Sequence, residues 1–386
     1  MLTNLGVAVR AGKVPRQENR ISIDRLGEAA EHSIQAVMPS HGETVTNRVA
    51  GARKPRVTDA WMRTERDRLG AARFHGEDRG HYESWFQRAN HPTQRLAFWI
   101  RYTVFIPADG SRPPLGELWA IVFDGDEIIA RKAEVSLPDC SFSRETIDVR
   151  IGESTLDLEQ CAGSIEDVRW SLHYDSPAPP MLMLPERLYT SGFPKAKLLV
   201  GSPLARYSGT LSIGEREISI DGWVGSQNHN WGSRHTDRYA WGQVAGFDDA
   251  PEVFLEAATV WLRFGPLWTP PLTVASVRVA DQVVQRVGVL QAVRAKASVE
   301  GFHWSFQTQG SDTSIEATFH ASAKDFVALR YLNPPGGHKA CLNSKVASCE
   351  LLVRAPGIDA LRCSTRHRAA FEVLQDEAPP ELPLQF

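Results

Sequence analysis

His229 lies in Gln227-Asn228-His229-Asn230-Trp231-Gly232, and Tyr239-Ala240-Trp241-Gly242-Gln243 follows after a short polar loop. Of these side chains only the imidazole changes charge near neutral pH. Indoles and a phenol around a titratable group describe a pocket for an apolar or cationic species. If the two segments pair as a hairpin about 232–238, Trp231 opposes Tyr239, His229 opposes Trp241 and Gln227 opposes Gln243, and all six share one face. The turn Asp248-Asp249-Ala250-Pro251 then sets Gln243 opposite Glu256 and Ala245 opposite Phe254. Glu256 points inward in one register and outward after a slip of one residue.

Such a face suits proton transfer to a carbon–carbon double bond. Glu256, Asp248 or a protonated His229 is the candidate acid. Trp223, Trp231, Tyr239, Trp241 and Phe254 are the candidate walls, with Gln227 and Gln243 as polar substrate contacts. Ring faces stabilise a developing cation by ~0.5–2 kcal/mol each. The same stripe also fits a closed core, in which every buried amide and the imidazole needs an internal partner. Taken alone, His229 fits a core histidine bonded to a carbonyl. The loop with Arg234, His235, Asp237 and Arg238 reads as solvated, or as a lid over a barrel mouth.

The elements that must position these groups are strands. Residues 57–72 predict a helix with Gly70 just past its end, and 22–37 a short helix within a weakly structured segment spanning 1–55. From Tyr82 the period becomes two. Tyr82–Asn90 reads as an opening strand that can supply Glu83, Trp85 or Arg88 to a pocket. Leu96–Ile106 is rich in aromatic and β-branched residues, and Asp124-Gly125 marks a hairpin. Strands are expected at 157–160, 166–174, 195–200, 206–213, 216–224, 239–247, 252–263, 272–280, 283–296, 302–308, 313–321, 325–331 and 345–354. The pattern is an all-β antiparallel fold. A proline-rich crossing at 176–194 suggests a boundary, giving an extension at 1–55, a first β domain at 56–200 with a leading helix, and a second at 201–386.

Composition narrows the function. The chain has 386 residues, 42% hydrophobic and 23% charged, with a net charge of −3. That supports a large core and argues against nucleic acid. No run of 18 apolar residues predicts a membrane span, and the start lacks the apolar region of a secretory signal. The five cysteines are scattered without CxxC spacing, so neither a zinc site nor a disulfide framework is expected and a cytoplasmic location fits. His229 and His235 lack a third ligand for a metal. GxSxG, Walker A, GxGxxG and HExxH are absent.

The Asn228–Gly232 and Tyr239–Gln243 segments, with the β-only pattern, resemble a lipocalin-like superfamily. It holds the carotenoid 1,2-hydratases (hydroxyneurosporene synthases), the AttH-like proteins and the tocopherol cyclases; fungal Diels–Alderase-like cyclases have related folds. The resemblance spans roughly 80–375 in architecture and 220–262 in motif. It implies two consecutive lipocalin-like barrels and a cavity for a polyene or prenylated quinol, with no metal or organic cofactor. It also implies a His-x-Trp pair at His229 and Trp231, with partners among Tyr239, Trp241, Asp248, Asp249 and Glu256. Asn228 stands where the hydratase pattern often carries an acid, and the Asn-His-Asn-Trp-Gly form is closer to tocopherol cyclase. The expected function is acid-catalysed hydration or cyclisation of an apolar unsaturated substrate. The alternative is a carrier for a lipid, terpenoid or polyketide. The expected partner is an apolar small molecule, reached through loose membrane association.

Overall fold

The computed structural model describes residues 59–76 and 80–386. The helix expected at 22–37, and the rest of 1–55, lie outside the described residues. One helix precedes the strands, α1 (Asp59–Gly70). Gly70 closes it, as its position after the last apolar residue predicts.

Two large antiparallel sheets follow, one nearly closed into a barrel and the other a half-barrel. The first holds β1 (His81–Asn90), β2 (Leu96–Ile106), β3 (Leu115–Asp124), β4 (Glu127–Ser136), β5 (Cys140–Phe142), β6 (Val149–Ile151), β7 (Ser154–Leu156), β8 (Gln160–Ile165), β9 (Val168–Asp175), β10 (Met181–Leu182), β11 (Ala196–Ile213) and β12 (Arg216–Gly232). Its order is β4-β3-β2-β1-β12-β11-β9-β8-β7-β6-β5, with β10 on β11. The second holds β13 (Arg238–Ala245), β14 (Val253–Trp261), β17 (Leu272–Val279), β18 (Gln282–Arg286), β19 (Lys296–Glu300), β20 (His303–Gln307), β21 (Ser314–His320), β22 (Val327–Leu332), β23 (His338–Ala355), β24 (Ile358–Gln375) and β25 (Leu384–Gln385). Its order is β18-β17-β14-β13-β24-β23-β21-β20-β19, with β22 between β23 and β25. A separate hairpin, β15 (Arg263–Phe264) and β16 (Leu267–Trp268), projects from the chain.

The sequence places most of these strands. The turn at Asp124-Gly125 joins β3 to β4, with Gly125 at φ 61°, a left-handed geometry glycine adopts without strain. Three expectations change. The segment 283–296 is a strand only to Arg286 and then the short helix α2 (Val289–Arg294). The long β24 carries arginine and alanine where β-branched residues signal strands, yet it pairs with β13 and β23. Position 200, expected as a boundary, lies inside β11, and the chain changes sheet at 233–237.

Each sheet closes over its own core. Trp85, Phe98, Tyr102, Trp170 and Trp223 fill the first, and Trp304, Phe319 and Phe371 the second. A third apolar cluster, with Phe86, Trp99, Trp119, Trp241 and Tyr331, joins the two sheets. Burying one such aromatic side chain contributes about 1.5–3 kcal/mol. Among the described residues no helix is long and apolar enough to cross a membrane.

Candidate active site

β12 is bonded to β1 and β11, while β13 is bonded to β14 and β24. The expected hairpin of β12 with β13 therefore does not form, because the connecting loop crosses between sheets. Its consequence is a split of the predicted face. His229 and Trp231 point to one side of β12. Ser226 and Asn228 point to the other, where Asn228 Oδ1 accepts from Gln243 Nε2 at 2.8 Å.

On the His229 side, β1 runs antiparallel so that Trp85 opposes His229 and Glu83 opposes Trp231. His81, Glu83 and Trp85 share a face by the two-residue period of the strand. Glu83 and His229 are fully buried and joined at 2.7 Å between Oε1 and Nε2. His229 Nδ1 donates to the carbonyl of Leu69 at 2.9 Å, and Trp85 Nε1 donates to that of Gly70 at 2.7 Å. These are C-terminal carbonyls of α1, which lack partners within the helix and favour a cation. The His229 ring stacks on Trp85 at 4.9 Å and leans on Trp231 at 4.7 Å.

Glu83 also accepts the amide of Arg73 at 2.7 Å and bonds His81 Nε2 at 3.1 Å. Burial by itself would raise its pKa. Hydrogen bonds from His229 and His81, the charge of His229 and the Arg73 amide outweigh burial and hold the carboxyl down to about 2. Glu83 is thus ionised, and both ring nitrogens of His229 face acceptors. Above this pair opens a cleft of about 290 Å³, lined by Arg73, His81, Tyr189, Lys195, Lys197 and Trp231 with small residues between. His81 and Trp231 belong to both the cleft wall and the buried group, so they connect solvent to Glu83 and His229.

On the other side of β12 lies a buried polar layer between the sheets. The predicted register of β13 with β14 is observed, with Gln243 opposite Glu256 and Ala245 opposite Phe254. Glu256 is fully buried; its two oxygens accept from Trp241 Nε1 and Gln243 Nε2, each at 2.7 Å. Gln243 Oε1 accepts from Arg88 Nε at 2.7 Å and Ser226 Oγ at 2.6 Å. Lys345 Nζ bonds Glu372 at 2.8 Å beside Trp241. Burial pushes Glu256 up to about 8, against the two hydrogen bonds and the charge of Arg88.

The remaining predicted residues are dispersed. Tyr239 donates to Glu372 at 3.2 Å within the inter-sheet layer. Gln227 Nε2 donates to the carbonyl of Asn228 at 3.0 Å, and Gly201 opposite leaves no room for a Cβ beside the amide. Trp223 stacks with Phe98 in the first core. Phe254 is buried with Met181 and Val200. Asp248 accepts from Thr365 Oγ1 at 2.9 Å and the amide of Arg366 at 3.0 Å, bracing the turn it sits in. His235, read from sequence as part of a solvated loop, is buried against Tyr82 at 4.1 Å. Burial first, and then Arg101, hold its pKa down to about 3.

Sequence reasoning missed His81, Arg73, Tyr189 and Lys197. The first was legible: His81-x-Glu83-x-Trp85 mirrors the alternation of His229-x-Trp231. Arg73 and Tyr189 arrive from loops and Lys197 from the start of β11, none with a local signal. Among the described residues no group of three or more His, Cys, Asp or Glu side chains is placed to hold a metal.

No family model matches the chain. An uncharacterized protein of Mycobacterium tuberculosis, present in strains H37Rv and CDC 1551, is 22% identical over 282 residues, covering 70% of this chain and 81% of the relative. Two crystal structures share the fold. A candidate AttH from Nitrosomonas europaea superposes at a TM-score of 0.50 with 12% identity, over 78% of this chain and 94% of the other. Kievitone hydratase from Nectria haematococca superposes at 0.51 with 12% identity, over 77% and 89%. The architecture expected from the resemblance, two antiparallel barrel-like sheets in succession, is observed as one nearly closed barrel and one half-barrel.

Proposed function

We propose that this chain is a hydratase-type enzyme, adding water to or cyclising an unsaturated substrate in the cleft over Trp231. One observation carries the reading: ionised Glu83 joins the buried His229 to His81 in the cleft wall. In its protonated form His81 gives a proton to one alkene carbon. Trp231 and Tyr189 face the cation that forms. Water, or a hydroxyl of the substrate, adds to the second carbon and returns a proton to His81. Glu83 stabilises the charged imidazole, and His229, held by α1, keeps Glu83 ionised and oriented. Such general acid–base help is worth about 10²–10⁴-fold. The steps use only side chains and water. The fold shared with a hydratase supports the reaction class, though fold alone does not determine function.

A second reading places the proton donor at Glu256, favoured by its raised pKa. Both carboxyl oxygens accept from protein donors, so the acidic proton is left for a bound molecule. Loose membrane association is supported by the exposed Phe264, Leu267 and Trp268 on the β15–β16 hairpin.

The test starts with native mass spectrometry and lipid extraction of protein purified from its own host. The extracted ligand is then returned to the protein in heavy-oxygen water, or followed for ring closure. Conversion by wild type but not by Glu83→Gln supports the cleft. Conversion lost only in Glu256→Gln moves the chemistry to the inter-sheet layer. A ligand recovered unchanged makes the protein a carrier.

A further inference from the structure

The cleft carries more positive charge than the buried pair beneath it can balance. Lys197 is 8% exposed, and its Nζ donates to the carbonyl of Pro194 at 2.9 Å. Arg73 Nη2 reaches the carbonyls of Arg68 and Leu69, both at 3.4 Å, and its guanidinium lies 5.4 Å from the centre of Trp231. Lys195 stands exposed at the rim. None of the three forms an ion pair among the described residues. Lys132, Lys324, Lys339 and Lys345 each pair with a carboxylate. Among the described residues no aspartate or glutamate lines the cleft. Beneath the cleft Glu83 accepts the amide of Arg73 and bonds His229; its charge acts on the Arg73 guanidinium without an ion pair. Burial, with Lys195 adding to it, holds the pKa of Lys197 below the usual lysine range. A half-enclosed cation without a counter-charge is costly until an anion arrives.

We propose that the cleft binds a molecule with an anionic group, a carboxylate or a phosphate, held by Lys197, Arg73 and Lys195, and a flat unsaturated part against Trp231 and Tyr189. This rests on the reading of the cleft as the active site and names its substrate class: an unsaturated amphiphile with an acidic head. Arg73 and the lysines fix the head, which sets the double bond beside His81. Lysine supplies point charges and arginine a planar fork, a pairing that accepts either anion.

The test is ligand-observed NMR titration of the full chain with trans-cinnamate, phenyl phosphate and the neutral cinnamyl alcohol. The expected result is that at least one anion binds tenfold or more tighter than the alcohol. Lys197→Met and the exposed Lys195→Met each weaken that anion severalfold and leave the alcohol unchanged. Because Lys195 is exposed, its variant serves if Lys197→Met does not fold. Which anion wins identifies the head group. Equal binding of the alcohol, no binding by either anion, or anion affinity unchanged in the lysine variants overturns the proposal. These are binding readouts. Loss of the anion preference leaves a Glu83-dependent turnover standing, and loss of that turnover leaves the anion preference standing.

Discussion

Glu83 and Glu256 are both fully buried, yet one is held down to about 2 and the other pushed up to about 8. Burial disfavours the carboxylate at both. The difference lies in the donors. Glu83 faces a histidine backed by helix carbonyls, a second histidine and a backbone amide. Glu256 faces an indole and a side-chain amide, both neutral, with Arg88 contributing at longer range and Glu372 opposing. Depth does not set the ionisation of a buried acid; the charge of what it touches does. The two glutamates accordingly suit opposite tasks, Glu83 as the fixed anion behind a proton-exchanging imidazole and Glu256 as a reserve of bound proton.

The largest effect that would break this contrast comes from the charged pair. Glu83→Gln should cost about 3–5 kcal/mol, because it breaks a fully buried, hydrogen-bonded acid–imidazole pair, and should slow turnover by about 10²–10⁴-fold. Urea denaturation and conversion of the extracted ligand measure the two. Wild-type-like stability would mean the pair is not ionised.

Next in size are the pH dependences, which run in opposite directions. Because the folded pKa of Glu83 is depressed, its stabilisation is present above pH 4.5 and is lost as pH falls from there towards 2. Glu256 binds a proton in the folded state that the unfolded chain gives up near 4.5, so its contribution falls as pH rises from 4.5 to 8. In Glu256→Gln the alkaline decline should flatten while the acid limb persists, as denaturation midpoints across pH will show. A decline of unchanged slope in the variant would assign it to another group.

Smaller still, Trp241→Phe deletes one donor to Glu256 and should cost about 1–3 kcal/mol. It should also raise the pKa of Glu256 further, visible as a later alkaline midpoint. At the bottom of the scale, Asp248→Asn weakens two hydrogen bonds at a turn. It should cost about 1 kcal/mol and leave turnover intact; lost turnover would return Asp248 to the chemistry. Replacing Phe264 and Trp268 by serine should leave both glutamates unaffected and reduce sedimentation with anionic vesicles, where unchanged sedimentation would rule the hairpin out as a membrane contact.

The contrast also shows what a single chain can reveal. The register that sets Gln243 against Glu256 was legible because a tight turn, Asp248 to Pro251, joins the two strands and leaves one pairing. The pairing of β12 with β13 was not, because neighbours in sequence sit in different sheets here. His229 instead meets Glu83 from a strand 146 positions away. Alternation put His229 and Trp231 on one face correctly and assigned that face the wrong opposite wall. The strand β24 escaped because its central residues, Arg366-His367-Arg368-Ala369-Ala370, satisfy no β preference locally; Ala369 and Ala370 pair with β13, while Arg366 to Arg368 fall at a register shift against β23, held by the paired segments on either side. The lysines of the cleft carry no periodic signal, since their meaning comes from what is missing around them.

Asn228 and His229 are joined by one peptide bond, yet Asn228 serves the inter-sheet layer and His229 the cleft. Because that division depends on alternation alone, inserting or deleting one residue between Trp223 and Asn228 without a compensating bulge would exchange the two environments. The histidine would be delivered to Gln243 and the amide to α1. This stretch of β12 can therefore accept substitutions more readily than an uncompensated change of length, which would move every side chain beyond it to the other face.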